Sequence, residues 1–236
     1  MNVILLKSYD QWLDAKRVRL SDRRAEHIRK VLRSQQGDTL RVGLLDGQLG
    51  TGRIEAIDGQ AVLMSVQLAD PPPPRHRFDL VLALPRPKML RRILRTVAEF
   101  GVGHLHLVQT ARVDKSYWQS PLLADVQMDD ALQMGMERSR DTIKPQVHRH
   151  RLFRPFVEDR LMGICAGRSC WIAHPDGPVG LNEVSSHPAV VMIGPEGGFV
   201  PFELKLAEQM GARRVQLGTR ILSVDTALTT ALAQAL

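Results

Sequence analysis

A near repeat in the last fifth of the chain constrains the fold more than any other feature. Residues 189–193 form a short apolar run, the glycine-rich sequence GPEGGF occupies 194–199, and a helical pattern covers 201–210. The same order of strand, loop and helix recurs within residues 213–236. Successive units of this kind predict a parallel sheet, and open α/β sheets bind ligands at the carboxyl ends of their strands. We therefore expect the two loops to lie side by side in one pocket, although a simple tight turn would also need the glycines.

Upstream of the repeat, predicted strands and helices alternate in the manner of an α/β sheet. The helix predicted over 88–100 is amphipathic, with apolar residues at helical spacing on one side and arginines on the other. Its apolar side holds Leu90, Ile93, Leu94 and Val97, and its basic side holds Arg91, Arg92 and Arg95. The other predicted elements are strands over 78–84, 104–109, 146–152 and 170–173, and helices over about 122–138 and from residue 155.

The first 70 residues predict a mainly β structure instead. Short runs are separated by Gly37-Asp38, Asp46-Gly47 and Asp58-Gly59, which are typical turn sequences, so a small barrel or a curled sheet is expected. Four prolines at 71–74 favour an extended polyproline segment. We place the domain boundary there, with a β domain over 1–70, a linker over 71–77 and an α/β domain over 78–236.

Positive charge is concentrated in two segments of a chain whose net charge is +7. Residues 16–33 hold eight basic and two acidic side chains, and residues 75–100 hold seven and two, so the remainder is net negative. Such clusters are typical of surfaces that bind nucleic acid, although a solvated helix face gives the same pattern. Within 21–33 a helix is predicted whose apolar stripe is Ala25, Ile28, Val31 and Leu32. The residues expected to contact RNA are Arg24, Arg29, Lys30 and Arg33 in the first segment and Lys88, Arg91 and Arg92 in the second.

The loops of the repeat resemble those of the SPOUT class of RNA methyltransferases. The matching residues are Ile193 with GPEGGF, and then Leu217-Gly218-Thr219-Arg220-Ile221-Leu222 followed by Thr226-Ala227. Within that class the chain most resembles the bacterial family that methylates N3 of a uracil in small-subunit ribosomal RNA. The resemblance implies an N-terminal PUA-like β-barrel domain that binds RNA, followed by a SPOUT α/β domain with a mostly parallel sheet and a C-terminal trefoil knot. It also implies a homodimer that acts on ribosomal RNA or the small ribosomal subunit.

The resemblance further implies that S-adenosylmethionine is bound by three loops, at 174–176, 193–199 and 217–222. The residues expected to bind this cofactor are His174, Pro175, Ile193, Gly194, Glu196, Gly197, Gly198, Leu217, Gly218, Ile221, Leu222 and Thr226. Cys165 and Cys170 have no second pair nearby, so we expect free thiols and no metal site. No segment reads as a membrane span or a signal peptide, and we expect a cytoplasmic protein.

Methylation of uracil N3 calls for a proton acceptor and for a cation that stabilises the resulting anion. The sulfonium already activates the methyl group, so the protein must position the nucleophile and stabilise the anion that forms when N3 loses its proton. Arg220 is the first candidate for the stabilising cation, because arginine stays protonated. Asp225 is a candidate for accepting the proton. It could equally oppose the dipole of the last helix, with Ser223 as the helix cap.

Two departures from the family pattern bear on these roles. The family usually has R-I-L-R-x-E-T-A where residues 220–227 read RILSVDTA, and E-Q-S-G-R where residues 137–141 read ERSRD. A basic side chain is thus missing at Ser223, and a glutamate is shortened at Asp225. The departures leave open a second hypothesis, a catalytically weak RNA-binding or ribosome-associated homologue. The basic segments argue against a third, a small-molecule-binding α/β protein.

Overall fold

The computed structural model describes residues 1–236 and divides them into two compact units. The first comprises residues 1–74 and 133–144, and the second comprises residues 75–132 and 145–236. Residues 133–144 join the first unit through specific contacts. Glu137 accepts hydrogen bonds from Arg23 at 2.7 and 3.0 Å, and Thr142 Oγ1 donates to Gly47 O at 2.5 Å. These contacts give the buried Glu137 carboxylate a structural partner.

The first unit is built on a curled, open sheet of six strands in the order β1-β4-β5-β6-β3-β2. β1 pairs parallel with β4, and the other neighbours are antiparallel. Apolar residues from five of its strands form one core with the helix that follows β3. The elements are β1 (Ile4–Leu6), β2 (Gln11–Trp12), β3 (Arg17–Leu20), α1 (Arg23–Glu26), β4 (Thr39–Leu44), β5 (Leu49–Ile57) and β6 (Val62–Asp70).

Helix α1 runs directly into a π-helical turn over His27–Val31, where Leu32 N donates to His27 O at 3.0 Å. The predicted apolar stripe is therefore only half right. Ala25 and Ile28 are fully buried, but Val31 is 66% exposed and Leu32 is 42% exposed. A π turn holds one residue more than an α turn, and this extra residue rotates the following side chains out of the stripe.

The second unit is an α/β sheet of six strands in the order β12-β10-β11-β7-β8-β9, and every pairing is parallel. β7 and β11 are buried along their whole length, as expected when both faces of a parallel sheet are covered. The strands are β7 (Phe78–Ala83), β8 (His104–Val108), β9 (Gln146–His150), β10 (Ser169–Ala173), β11 (Ala189–Ile193) and β12 (Arg213–Val215). The helices are α2 (Pro87–Glu99), α3 (Asp125–Ser139), α4 (Phe153–Asp159), α5 (Leu161–Cys165), α6 (Leu181–Val184), α7 (Pro201–Gln209) and α8 (Val224–Ala233). From residue 133 onward, α3 belongs to the first unit.

The two loops of the repeat line one cavity, as expected, but their strands are not neighbours in the sheet. β10 pairs with β11 on one side and with β12 on the other, so it separates the two strands of the repeat. Order along the chain does not fix order across a parallel sheet, because each crossover can pass over a strand that is already in place. The carboxyl ends of three strands, rather than two, therefore meet at this edge.

Four histidines share one face of β8 and β9. His104 Nδ1 lies 3.2 Å from His148 Nε2, and His106 Nδ1 lies 3.1 Å from His150 Nε2. The rings stack, with 4.4 Å between the centroids of His106 and His148. No group of three or more His, Cys, Asp or Glu residues is arranged so that it could hold a metal ion. Burial lowers the pKa of His106 to about 3, and it also lowers the pKa values of His148 and His150. The neighbouring charged groups are Asp79, Arg160 and Arg168, and Asp79 and Arg168 form an ion pair with each other at 2.7 Å.

This histidine cluster predicts a loss of stability in mild acid. The folded state holds His106 neutral down to about pH 3, whereas the unfolded chain protonates it near its ordinary pKa of 6.5. The unfolded state therefore binds more protons between these values. We expect the free energy of unfolding to fall as the pH drops through this window, by at most about 1.4 kcal/mol per pH unit for this group. Urea unfolding at several pH values between about 7.5 and 5 measures the slope.

Replacing His106 with leucine should make the slope shallower, because the replacement removes the most strongly shifted group of the cluster. His187 is exposed and serves as the matched control, so His187→Gln should leave the slope unchanged. Equal slopes for His106→Leu and the wild type would contradict the prediction.

Two further expectations concern membrane spans and the cysteines. No helix is both long enough and apolar enough to span a membrane. Cys165 and Cys170 are buried and both are free thiols.

Candidate functional site

Three loops at the carboxyl edge of the second sheet enclose a cavity of about 320 Å³. They follow β10, β11 and β12, and a fourth segment, after β8, adds one side chain. The cavity thus lies where open α/β sheets bind ligands. Its lining consists of Arg112, Ala173, His174, Pro175, Ile193, Gly194, Pro195, Glu196, Gly197, Gly198, Phe199, Leu217, Gly218, Arg220, Ile221, Leu222, Val224 and Ala227.

The loop after β10 is held tightly against β12. His174 N donates to Val215 O at 2.9 Å, and Gly177 N donates to His174 O at 3.0 Å. A Cβ atom at Gly177 would collide with the backbone of Val215 and Gln216. Only glycine allows this close approach, which keeps His174 and Pro175 at the cavity wall.

The loop after β11 is a compact turn that ends at helix α7. Gly198 N donates to Pro195 O at 2.7 Å, and Phe199 is buried beneath the turn. Pro201 then opens the helix, a position where proline is favoured because its missing N–H would have no helical partner. The GPEGGF sequence is thus both a tight turn and a wall of the cavity.

Eleven of the twelve residues expected to bind a cofactor line this cavity. The exception is Thr226, whose hydroxyl lies 2.9 Å from Ser223 Oγ and which is not part of the lining. The next residue, Ala227, does line the cavity. The sequence placed the segment correctly but not the side of the helix that faces inward.

Arg220 lines the cavity and is exposed, whereas Asp225 lies outside the lining. Asp225 accepts a hydrogen bond from Ser223 Oγ at 2.7 Å, and its Oδ2 lies 3.6 Å from Arg92 Nη1. The Ser223 hydroxyl holds the pKa of Asp225 below its ordinary value. Ser223 is the N-cap residue of α8, as expected, but its side chain makes no capping hydrogen bond to the backbone. The hydroxyl is directed at the carboxylate instead.

Two of the three arginines on the basic side of α2 are exposed, Arg95 is half-buried, and the helix lies near the cavity. Arg91 and Arg92 are exposed, while Leu90, Ile93 and Leu94 are buried. Arg92 reaches Asp225, and Arg86 Nε, just before the helix, lies 3.9 Å from Glu196 Oε1. Lys88 is also exposed.

In the first unit, one of the four basic residues expected to contact RNA has a different environment. Arg24 is only 4% exposed, and its guanidinium donates to Asp10, Asp22 and Leu5 O. This buried position does not fit the predicted contact with RNA, and no feature of the local sequence distinguished Arg24 from its neighbours. Lys30 and Arg33 are exposed, and Arg29 is half-buried, with a hydrogen bond to Gly59 O.

Sequence reasoning missed Arg112, which enters the cavity from the segment after β8. Its Nη1 donates to the carbonyl oxygen of Gly197. The signal was available in principle, because β8 was predicted and a residue just past its carboxyl end belongs at the ligand-binding edge.

Comparison with known families agrees with this architecture. The sequence model of the RNA methyltransferase domain matches residues 71–236, and that of the RNA methyltransferase PUA domain matches residues 20–66. Ribosomal RNA small subunit methyltransferase E of Synechocystis sp. is 31% identical over 230 residues, which cover 92% of this chain and 72% of the relative. The protein of the same name from Treponema pallidum is 28% identical over 232 residues, which cover 96% of this chain and 87% of the relative.

Solved structures share the fold over nearly the whole chain. Ribosomal RNA small subunit methyltransferase E from Neisseria gonorrhoeae, bound to S-adenosyl methionine, superposes with a TM-score of 0.76 at 21% identity, covering 99% of this chain and 95% of that one. A methyltransferase from Legionella pneumophila in complex with the same cofactor superposes with a TM-score of 0.75 at 22% identity, covering 99% of this chain and 96% of that one.

Proposed function

The chain belongs to the RNA methyltransferase family, and from this premise we propose that it transfers the methyl group of S-adenosylmethionine to ribosomal RNA of the small subunit. The observation that carries the proposal is the three-loop cavity, which is lined by all but one of the residues expected to bind the cofactor. The names of its relatives support the substrate, and the bound cofactor of its structural neighbours supports the methyl donor. An enzyme acting on ribosomal RNA would work in the cytoplasm.

The residues of the cavity fit the cofactor in their chemistry. S-adenosylmethionine combines apolar, cationic and polar parts, and the lining offers apolar side chains such as Leu217 and Leu222 together with backbone groups of the glycine loops. The bound cofactor supplies an electrophilic methyl group. The role of the loops is to hold it in place and to exclude water from the reacting atoms.

Two measurements test the proposal. Titration calorimetry should detect binding of S-adenosylmethionine and of its demethylated product, and mass spectrometry of ribosomal RNA nucleosides should reveal one methylated nucleoside that a deletion strain lacks. Binding of NAD without binding of either methyl-transfer ligand would refute the proposal. So would an unchanged set of nucleosides in the deletion strain.

Within this reaction we propose N3 of a uridine as the acceptor. In this proposal Arg220, which lines the cavity, stabilises the uracil anion, since guanidinium remains charged at any relevant pH. Asp225 is poorly suited to removing the N3 proton, because its lowered pKa makes it a weaker base and its carboxylate is engaged by Ser223 and Arg92. We assign it the alternative role of holding the start of α8 and orienting Arg92, and the N3 proton passes to solvent before the methyl transfer. The identity of the methylated nucleoside, read from its mass spectrum against standards, tests the acceptor atom.

We also propose the knot and the homodimer that the family resemblance implies. Support for the dimer comes from large apolar side chains on the surface beside the cavity loops, where Ile221 is 89% exposed and Phe202, at the start of α7, is 54% exposed. Contacts with a second copy would cover such groups. Sedimentation equilibrium should give twice the chain mass, and a monomer at micromolar concentration would contradict the dimer.

The basic turn after α1 predicts a measurable part of the RNA affinity. Replacing Arg29, Lys30 and Arg33 with alanine should weaken binding and reduce the salt dependence by up to roughly 0.7 to 0.9 log units per lost phosphate contact. Cofactor affinity should stay the same, because none of these residues lines the cavity. Filter binding at several salt concentrations measures the slope.

The control removes the same charge elsewhere. Arg154, Arg160 and Lys205 are exposed and lie outside both basic segments, so their replacement by alanine should change the slope less. If the variant of Arg29, Lys30 and Arg33 kept the wild-type salt dependence of RNA affinity, RNA would instead bind at Lys88, Arg91 and Arg92.

A further inference from the structure

The acidic and basic side chains around the cavity are not evenly paired. Of the carboxylates near its mouth, Glu196 and Asp225 lie within 3.9 Å and 3.6 Å of Arg86 and Arg92. A third, Asp176, lies 3.7 Å from His174 Nδ1. Arg112 and Arg220 line the cavity and form no ion pair. Two guanidinium groups without counter-charges make the mouth of the cavity positive, and such a site attracts an anionic group of the substrate.

Arg112 is held in place by its loop rather than by its own charge. Gln109, at the start of the loop, donates from Nε2 to Thr110 O and to Val113 O, both at 2.8 Å. Its Oε1 accepts a hydrogen bond from Trp118 Nε1 at 2.6 Å. One side-chain amide thus closes the loop on both sides of Arg112.

A buried carboxylate fixes the same loop to the glycine loop. Glu203, on α7, is only 3% exposed. Its Oε1 accepts from Ala111 N at 2.7 Å, and its Oε2 accepts from Val200 N at 2.9 Å. Because the two oxygens bond to backbone groups of different loops, Glu203 sets the distance between Arg112 and the residues 194–199.

The guanidinium of Arg112 is exposed and uses one N–H on the carbonyl oxygen of Gly197, which is itself exposed. The absence of a side chain at Gly197 makes room for it, since a Cβ atom there would lie 2.9 Å from Arg112 Cδ. The guanidinium group can leave this carbonyl oxygen for a ligand at little cost, because both groups are exposed and water can replace the lost hydrogen bond. A planar fork with five N–H donors matches the two oxygens of a phosphate.

We propose that Arg112 binds a phosphate of the RNA strand next to the target nucleotide, and that Glu203 is the positioning residue that holds Arg112 at the cavity. The assignment rests on the proposed function, because it requires RNA as the substrate. It divides the two arginines by role, with Arg220 acting on the base and Arg112 on the backbone. Arg112 therefore acts in RNA binding, and Arg220 acts in the chemical step.

The test is single-turnover methylation of a small-subunit ribosomal RNA fragment at a series of RNA concentrations, with cofactor affinity measured separately by calorimetry. Arg112→Ala should raise the RNA concentration for half-maximal rate about 10- to 100-fold, as expected for a hydrogen bond to a charged group. The rate at saturating RNA should change less than about threefold, and Arg112→Lys should recover part of the loss. Glu203→Gln should raise the half-maximal RNA concentration as well, but should add little in the Arg112→Ala background, because both act through one contact.

Gly197→Ala displaces Arg112 without touching Glu203 and gives a second route if Glu203→Gln does not fold. Three outcomes would overturn the inference: a wild-type half-maximal RNA concentration for Arg112→Ala, additive effects of Arg112→Ala and Glu203→Gln, or a loss of cofactor affinity in Arg112→Ala, which would place the guanidinium on the cofactor carboxylate. A wild-type protein that does not methylate the RNA would refute the proposed function instead.

Discussion

Arg220→Ala should lower the single-turnover rate of RNA methylation by roughly 10²–10³ at saturating RNA and cofactor. A fixed charge that stabilises a developing anion is typically worth about 2.7–4 kcal/mol of activation free energy, which corresponds to that factor. The side chain lines the cavity and has no carboxylate partner, so its charge is available to the base. Cofactor affinity should remain close to that of the wild type, because the interaction forms only as the uracil loses its proton.

The loss should diminish as the pH rises, since the N3 proton then leaves without help and the anion no longer depends on the enzyme to form. Arg213→Ala is the matched control. Arg213 is exposed at the start of β12, seven residues from Arg220, and does not line the cavity. If Arg220→Ala reacted at the rate of Arg213→Ala, the anion would have to be stabilised by another group.

Gly218→Val should weaken binding of S-adenosylmethionine by about 10- to 100-fold. Gly218 has a φ of 137°, in a region that side-chain-bearing residues rarely adopt, and it lines the cavity. Forcing a β-branched residue into such a conformation costs about 1–3 kcal/mol, and relief of the strain would move the loop after β12. Each 1.4 kcal/mol lost from binding is a factor of ten in affinity. Titration calorimetry measures the change.

A second glycine separates an effect on the loop from a general loss of stability. Gly211, at the end of α7, has a φ of 91° and lies outside the cavity lining. Gly211→Val should therefore lower the melting temperature while leaving cofactor affinity unchanged. Equal affinities for the two variants would mean that the loop after β12 tolerates a side chain at Gly218 and contributes little to the site.

Periodic patterns in the sequence predicted the elements that build the second unit. The apolar run at 189–193 coincides with β11. The amphipathic helix predicted over 88–100 differs from α2 by one residue at each end. These features are local, because the alternation of buried and exposed positions is written in neighbouring residues. The glycine loops were also recognisable, since their residue types and spacing are characteristic.

The features that sequence could not give are long-range. The place of β10 between β11 and β12 depends on how the crossovers pass, and the contact of Glu203 with Ala111 joins residues 92 positions apart. Arg24 illustrates the same limit, because its burial depends on the carboxylate of Asp10, 14 residues away in the chain. A basic residue in a basic segment gives no local sign of such a partner.

Because of the π turn at His27–Val31, the direction in which the following basic side chains point depends on how many residues the turn contains. Each residue of an α-helix advances the chain by about 100° around the axis, so the deletion of one apolar residue from this turn would swing every later side chain by that angle. The net charge and the composition of basic residues would be unchanged. A chain of this kind can therefore redirect Arg33, which follows the turn, toward a differently shaped RNA by a one-residue insertion or deletion, without a single substitution.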